Sequence, residues 1–507
     1  MARAIRAMGY IGAVAAPVYT LWRLSRGMLI NKIGYDEQFF MWGGWSILKG
    51  LAPYRDFIEF KPPMTFLTHA FALKLFGYYG QHFRYFFLIL SVGSLIALLA
   101  SLLKRGADRV LACALGIAIA HLFAGPYHEA FFSDTESMGT SYYFLGLACL
   151  IANTRFRRAA EVAGGIFMTC CALSKEPFAP CVVLTWAGAY FVVHGELSRP
   201  TAVRYMKYTL GGVAIAVGAL SLYMVPTGAM SAYLATLKSY ATMFRDPQKG
   251  YCVVLGRFHP QGFFADLPGQ WRIVNGQFVN LATLGFLAPF FASSFVFVPR
   301  RSWALFACSL LAMLLSVYGV TVSNCYAPHY YLMAQSGIAF FLLAGVLAIG
   351  PRLALGNAGT RTWIRSIFML AVLIRVWEPV ESALPFVKND DPPAEPEPGL
   401  FEFIREHSTA ADRIFTTGPP GLYVYVDRLS AVRESSIIDE LVPAMPGNTD
   451  AEKLRPLYEE LVKNRPKIVF LDPEHGNRKY RHLGAAIMPF LSEFNYTKVS
   501  ERIYVRP

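Results

Sequence analysis

The chain has 507 residues, of which 54% are hydrophobic, 15% aromatic and only 16% charged, and its mean hydropathy is +0.37. An ordinary soluble domain carries roughly 25% charged residues, and a soluble chain of this length divides into several cores with polar surface between them. The composition excludes that arrangement, and the distribution of the +13 formal charge excludes a nucleic-acid-binding patch.

Taken in order, the apolar residues fall in blocks at 8–24, 86–103, 110–125, 141–152, 159–173, 179–193, 208–225, 281–298, 303–322, 331–349 and 363–376. Most approach the length that crosses a hydrocarbon core of ~30 Å. A backbone in lipid must satisfy its own polar groups, so the blocks predict helices, about eleven of them, in an all-α polytopic membrane protein. Cys113, Cys149, Cys170, Cys171, Cys181 and Cys308 lie inside these blocks and read as small hydrophobes.

Basic residues gather in alternate short connections: Arg3 and Arg6, then Lys104, Arg105 and Arg109, then Arg155, Arg157 and Arg158. The series continues with Arg199, Arg204 and Lys207, with Arg300 and Arg301, and with Arg352, Arg361 and Arg365. The short connections between them (126–138, 174–177 and 323–331) carry a single lysine, Lys175. The positive-inside rule then starts the chain in the cytoplasm and places 25–83, 227–278 and everything after about 380 outside.

Three parts are expected: a membrane region, 1–380, with long outer loops at 25–83 and 227–278; a linker, 381–399, rich in Asp, Glu and Pro; and a small α/β domain outside the membrane, 400–507. In the last part, strands are expected at 413–417, 467–471 and 502–505, and helices at 400–407 and 451–463. The stretch 64–76 is too short to span and follows Pro62-Pro63, so it predicts an amphipathic helix along the outer surface.

The first outer loop carries the chemistry-bearing residues. Asp36 and Glu37 follow the first span directly, then come Pro53-Tyr54-Arg55-Asp56-Phe57 and Lys61-Pro62-Pro63. An acidic pair there caps the next helix, or supplies a general base; Arg55 and Lys61 snorkel at the interface, or neutralise a phosphate. Further on, His128, Glu129, Asp134 and Glu136 lie in the loop before a span, and Lys175 and Glu176 share a turn as a surface pair or with Lys175 directed at a phosphate. Arg257 sits in the second long loop, and His329 and Tyr330 open a span as membrane anchors or cavity residues.

The order of acid pair, PYRDF, KPP and a short helix ending at Leu75-Phe76-Gly77 resembles the integral-membrane GT-C glycosyltransferases that use polyprenyl-phosphate sugars. The likeness is to the branch holding dolichyl-phosphate-mannose protein mannosyltransferases, lipid A aminoarabinose transferases and Rgt-type enzymes, and the motifs that carry it lie in residues 30–85. The resemblance implies inverting transfer of a sugar to an acceptor hydroxyl on the outer face of a bacterial inner membrane. Asp36 would be the base with Glu37 beside it, and Lys61, Arg55, Lys175 and Arg257 the candidates for the donor phosphate. Tyr54, Asp56, Glu129, Asp134, His329 and Tyr330 would border the substrates. The partners implied are the lipid-linked donor, a glycan, lipid or protein acceptor, and the bilayer, with no nucleic acid. Some relatives use a divalent metal between acids of these loops, and the sequence establishes none. The rival class, a transporter or flippase of lipid-linked or polyol substrates, calls for ionisable groups at mid-membrane depth and paired repeats, and these spans are nearly free of acids.

Overall fold

The computed structural model describes residues 2–30, 35–57, 61–77, 82–124, 134–245, 302–321, 331–355, 398–418, 420–433, 451–471 and 487–507, with positions 59, 359, 362, 363, 365 and 366. Twelve helices precede the C-terminal segment among these residues: α1 (Ala2–Ile30), α2 (Tyr35–Leu48), α3 (Pro63–Phe76), α4 (Phe83–Lys104), α5 (Arg109–Ala124) and α6 (Thr135–Ile151). They continue with α7 (Arg157–Ala172), α8 (Phe178–His194), α9 (Arg199–Met224), α10 (Ala229–Arg245), α11 (Trp303–Thr321) and α12 (Tyr331–Leu355). Nine of the apolar blocks coincide with these helices. Those at 281–298 and 363–376 lie outside the described residues or nearly so. By length and composition, α4 and α9 are each long and apolar enough to cross a bilayer.

The chain divides into two compact units. Unit 1 holds α1, α4 from Arg84, α5–α8, α9 as far as Leu220, α11 and α12. Its helices pack through small residues. A methyl group on Gly116 of α5 would sit 2.7 Å from the ring of Pro17 in α1, and one on Gly146 of α6 would sit 2.8 Å from Met168 in α7. Gly165 of α7 and Gly212 of α9 leave no room for a side chain between their backbones. Close approach of this kind is how helices associate where apolar surface alone provides no drive. Along α9, Val203, Met206, Leu210 and Ile215 stay exposed, an outward apolar strip.

Unit 2 gathers α2, α3, α10 and the C-terminal segment. That segment forms α13 (Pro398–Glu406), β1 (Arg413–Thr416), α14 (Gly421–Val426), β2 (Leu429–Ser430), α15 (Ala451–Asn464), β3 (Ile468–Phe470), a helical turn at 487–493, β4 (Thr497–Lys498) and β5 (Ile503–Val505). The sheet order is β2-β1-β3-β5-β4. β1 runs parallel to β2 and β3, with Ile414 opposite Ile468, whereas β5 runs antiparallel to β3 and β4, with Val469 opposite Tyr504. Phe415, Val469, Leu461, Phe490 and Tyr504 form its core. Within unit 2, α14 packs on α2: Gly421 abuts Gln38, the rings of Trp42 and Tyr423 lie 6.2 Å apart, and Lys49 Nζ meets Asp427 Oδ1 at 2.7 Å.

Candidate active site

The two acids predicted to carry chemistry open α2, where the unpaired N–H groups and the helix dipole favour negative charge. Successive helical residues point about 100° apart, and the structure separates the pair accordingly. Asp36 is exposed, while Glu37 is 0% exposed.

α2 is held firmly behind them. Gly43 accommodates the ring of Phe66, and Gly44 lies against the backbone of His69 and Ala70 in α3. Phe39, Phe40, Trp42, Tyr54, Phe57 and Phe66 interlock in edge-on and tilted pairs 5.1 to 6.4 Å between centroids. His69 is buried in the same layer. Its Nδ1–H donates to the Thr65 carbonyl at 2.8 Å, and burial pushes its pKa down to about 4, so the ring is neutral.

The PYRDF stretch forms a tight turn. Pro53 bridges to Phe57, and Tyr54 sits at φ +65°, in the left-handed region. Asp56 accepts the Ala52 N–H at 2.8 Å, and the Asp56 N–H donates to the Ala52 carbonyl at 2.9 Å. The Arg55 guanidinium forks onto both carboxylate oxygens of Asp56 (2.8 and 2.5 Å) and also donates to the Thr227 carbonyl at 2.6 Å. Hydrogen bonding from Arg55 holds the Asp56 carboxyl below its ordinary pKa. The buried Tyr54 hydroxyl donates to the Lys61 carbonyl at 2.6 Å, and the Lys61 N–H donates to Glu59 Oε1 at 3.2 Å. Both backbone polar groups of Lys61 are thus fixed, just before Pro63 starts α3. Tyr54, Arg55, Asp56 and Lys61 come together in this one turn-rich loop.

In unit 1 the structure brings Lys175 to the first turn of α6. Asp134 occupies the N-cap position of α6 and is buried. Lys175 reaches Glu136, in the first turn of α6, at 2.7 Å, and the Thr135 hydroxyl donates to the same carboxylate at 2.6 Å. The Lys175–Glu136 pair is missed by sequence reasoning, which places Glu136 among loop acids and sets Lys175 beside Glu176. The only signal was a lone lysine among short outer turns that carry no other lysine or arginine. Glu129, Arg257, His329 and Tyr330 lie outside the described residues. Among the described residues no three His, Cys, Asp or Glu side chains cluster as a metal site would require.

No family model and no curated protein sequence matches the chain. Solved structures do. The ArnT of Cupriavidus metallidurans, in a crystal structure bound to undecaprenyl phosphate, superposes over 100% of this chain and 99% of its own at 13% identity and TM-score 0.53. Its apo form matches over 99% and 98%, at 13% identity and TM-score 0.52. The oligosaccharyltransferase of Archaeoglobus fulgidus is similar over 97% of this chain and 73% of that one, at 12% identity and TM-score 0.49. The chain therefore shares the fold of the ArnT structures, helical with a small C-terminal sheet.

Proposed function

We propose that the protein is an integral-membrane glycosyltransferase that moves a sugar from a polyprenyl-phosphate donor to an acceptor hydroxyl, with inversion at the anomeric carbon. The observation that carries this reading is Asp36: an exposed carboxylate at the start of a helix clamped by α3 and α14. The full-length likeness to an ArnT crystallised with undecaprenyl phosphate supports it. Asp36 accepts the proton of the attacking hydroxyl as the C–O bond forms, and the bond to the lipid phosphate breaks with the phosphate leaving as the anion. Glu37, buried behind it, positions the helix start. Lys61, with its backbone fixed, neutralises the departing phosphate; Lys175 is a second candidate for that role. The membrane is proposed to be a bacterial inner membrane, with the N-terminus cytoplasmic and the C-terminal segment outside.

The test is transfer of radiolabelled sugar from a panel of polyprenyl-phosphate sugars, comparing wild type with Asp36→Asn. Product, or slow donor hydrolysis, from wild type alone supports the reading. Equal product from the two proteins removes Asp36 as base, and none from folded wild type with any donor removes the transferase reading.

A further inference from the structure

α14 is anchored to its own sheet and to the connection that leads into it. The Thr416 N–H, at the end of β1, donates to the Tyr423 hydroxyl at 3.2 Å. Just past α14, the buried Arg428 guanidinium donates to the Ser408 hydroxyl at 2.9 Å and to the Ser408 carbonyl at 2.7 Å. Two parallel contacts from one planar fork fix geometry as well as adding energy, so α14 is a rigid arm of the sheet.

The arm lies along α2, on residues 38, 42 and 49, which the helical repeat puts on one stripe. A methyl group on Gly421 would sit 2.4 Å from Gln38 Oε1, the Trp42 and Tyr423 rings are 6.2 Å apart, and Lys49 Nζ meets Asp427 Oδ1 at 2.7 Å. α3 takes a different stripe of α2, through Phe40, Gly43 and Gly44. One face of α2 is thus held by a helix of its own loop and another by a segment from the far end of the sequence. Asp36 opens this helix, two residues before Gln38. Lys61 is fixed separately, by the Tyr54 hydroxyl and Glu59. A shift of a reacting group by about 1 Å costs about 10²-fold in rate. An arm seated on the first turn of α2 therefore bears on the base and not on the phosphate partner.

We propose that the C-terminal segment is part of the catalytic apparatus: Gly421 and Tyr423 of α14 are positioning residues that set α2, and with it Asp36, and so govern kcat without changing donor affinity. This role rests on the transferase reading; the hold of α14 on α2 does not.

The experiment drives a wedge in at Gly421, in the full chain in detergent. It reads hydrolysis of the radiolabelled polyprenyl-phosphate sugar identified by the panel above, with water as acceptor, beside amide exchange of residues 35–48. Gly421→Ala meets the movable end of Gln38 and should keep kcat within about threefold of wild type. Gly421→Leu should lower kcat about tenfold or more at a donor KM within about twofold of wild type. It should also speed exchange in 35–48 while 178–194, in unit 1, stays unchanged. Adding Gln38→Ala to Gly421→Leu should bring kcat back to within about threefold, a rescue that a general loss of stability would not give. Arg455→Gln, on the exposed side of α15, leaves both readings unchanged. An unchanged kcat in Gly421→Leu, a donor KM that rises as kcat falls, or a failed rescue overturns the proposal. If Gly421→Leu does not fold, Gly421→Val decides by the same criteria. Wild type that hydrolyses no donor removes the transferase reading and the catalytic role with it. Exchange then decides the hold of α14 on α2 alone, and equal protection in wild type and the wedge variant would end it.

Discussion

Gly44 lies so close to the backbone of His69 that a methyl group on it would sit 2.7 Å from the His69 carbonyl carbon and 2.6 Å from the Ala70 nitrogen. Backbone cannot swing aside as a side chain can, so Gly44→Ala must push α2 off α3, and α2 carries Asp36. We expect a loss of about 1–3 kcal/mol of stability, the usual cost of overpacking, together with reduced turnover. Gly93 of α4 meets nothing within 4 Å. Gly93→Ala should be neutral or stabilising by up to about 1 kcal/mol through helix propensity. Thermal unfolding of both variants in detergent checks the contrast; equal melting temperatures would mean that α2 and α3 are not in close contact.

His69 gives the same α2–α3 layer a pH dependence. Its pKa is about 4 in the folded chain against an ordinary 6.5, so between these values the unfolded state binds more protons. Stability is therefore fully present above pH 6.5 and falls as the pH drops towards 4. At about 1.4 kcal/mol per pH unit the loss by pH 4.5 is of order 2–3 kcal/mol. Denaturant midpoints measured from pH 7.5 to 4.5 should show that fall in wild type and a flatter profile in His69→Gln. Parallel profiles would assign the acid sensitivity to other groups.

Much of the helical framework was legible in the sequence, because a helix in an apolar solvent needs an uninterrupted apolar block and the blocks stand out. The C-terminal elements were legible too where alternation or amphipathic spacing is strong: β1, β3, β5, α13 and α15 fall within two or three residues of expectation. What escaped was short or tertiary. β2 and β4 have two residues each, too few to show a period, and α14 has six. The docking of α14 on α2 through Gly421 and Gln38 depends on shape, and neither residue stands out in a pattern. At the acid pair, adjacency in sequence concealed that only one carboxylate is accessible.

That difference between Asp36 and Glu37 separates two variants. Asp36→Asn keeps the shape and sits on an exposed helix end, so stability should change by no more than about 1 kcal/mol, including the lost dipole interaction. Turnover should fall by about 10²–10⁴-fold, the contribution of a general base. Glu37→Gln should act mainly on folding, lowering the melting temperature while specific activity of the surviving folded protein stays within about tenfold of wild type. Single-turnover transfer measured beside thermal unfolding distinguishes them. A dead Glu37→Gln with an unchanged melting temperature would transfer the base role to Glu37.

Arg55 and Lys61 make a second pair to separate. Arg55 directs its fork at Asp56 and its remaining edge at the Thr227 carbonyl, which makes it a clamp on the turn. Lysine cannot reproduce a planar fork, so Arg55→Lys should loosen the loop and increase its proteolysis with a modest effect on donor KM. Lys61→Ala should raise the donor KM by about tenfold or more, since a charge-assisted contact to phosphate is lost while Tyr54 and Glu59 still hold the backbone. Initial rates against donor concentration check both, and an unchanged KM in Lys61→Ala would end its assignment to the phosphate.

The Lys175–Glu136 pair is buried on both sides, with side chains 11% and 2% exposed, and removing one partner strands the other in a low-dielectric interior. Glu136→Gln alone should cost about 3–5 kcal/mol, whereas the double variant Glu136→Gln with Lys175→Met should recover most of it, because both charges go together. The double variant then carries the functional question, since it folds without the lysine. If Lys175 contacts the donor phosphate, the folded double variant shows a raised donor KM; if the pair is purely structural, its kinetics match wild type. Melting curves and donor titrations on the single and double variants supply the cycle, and a double variant no more stable than Glu136→Gln would mean that the two residues do not interact.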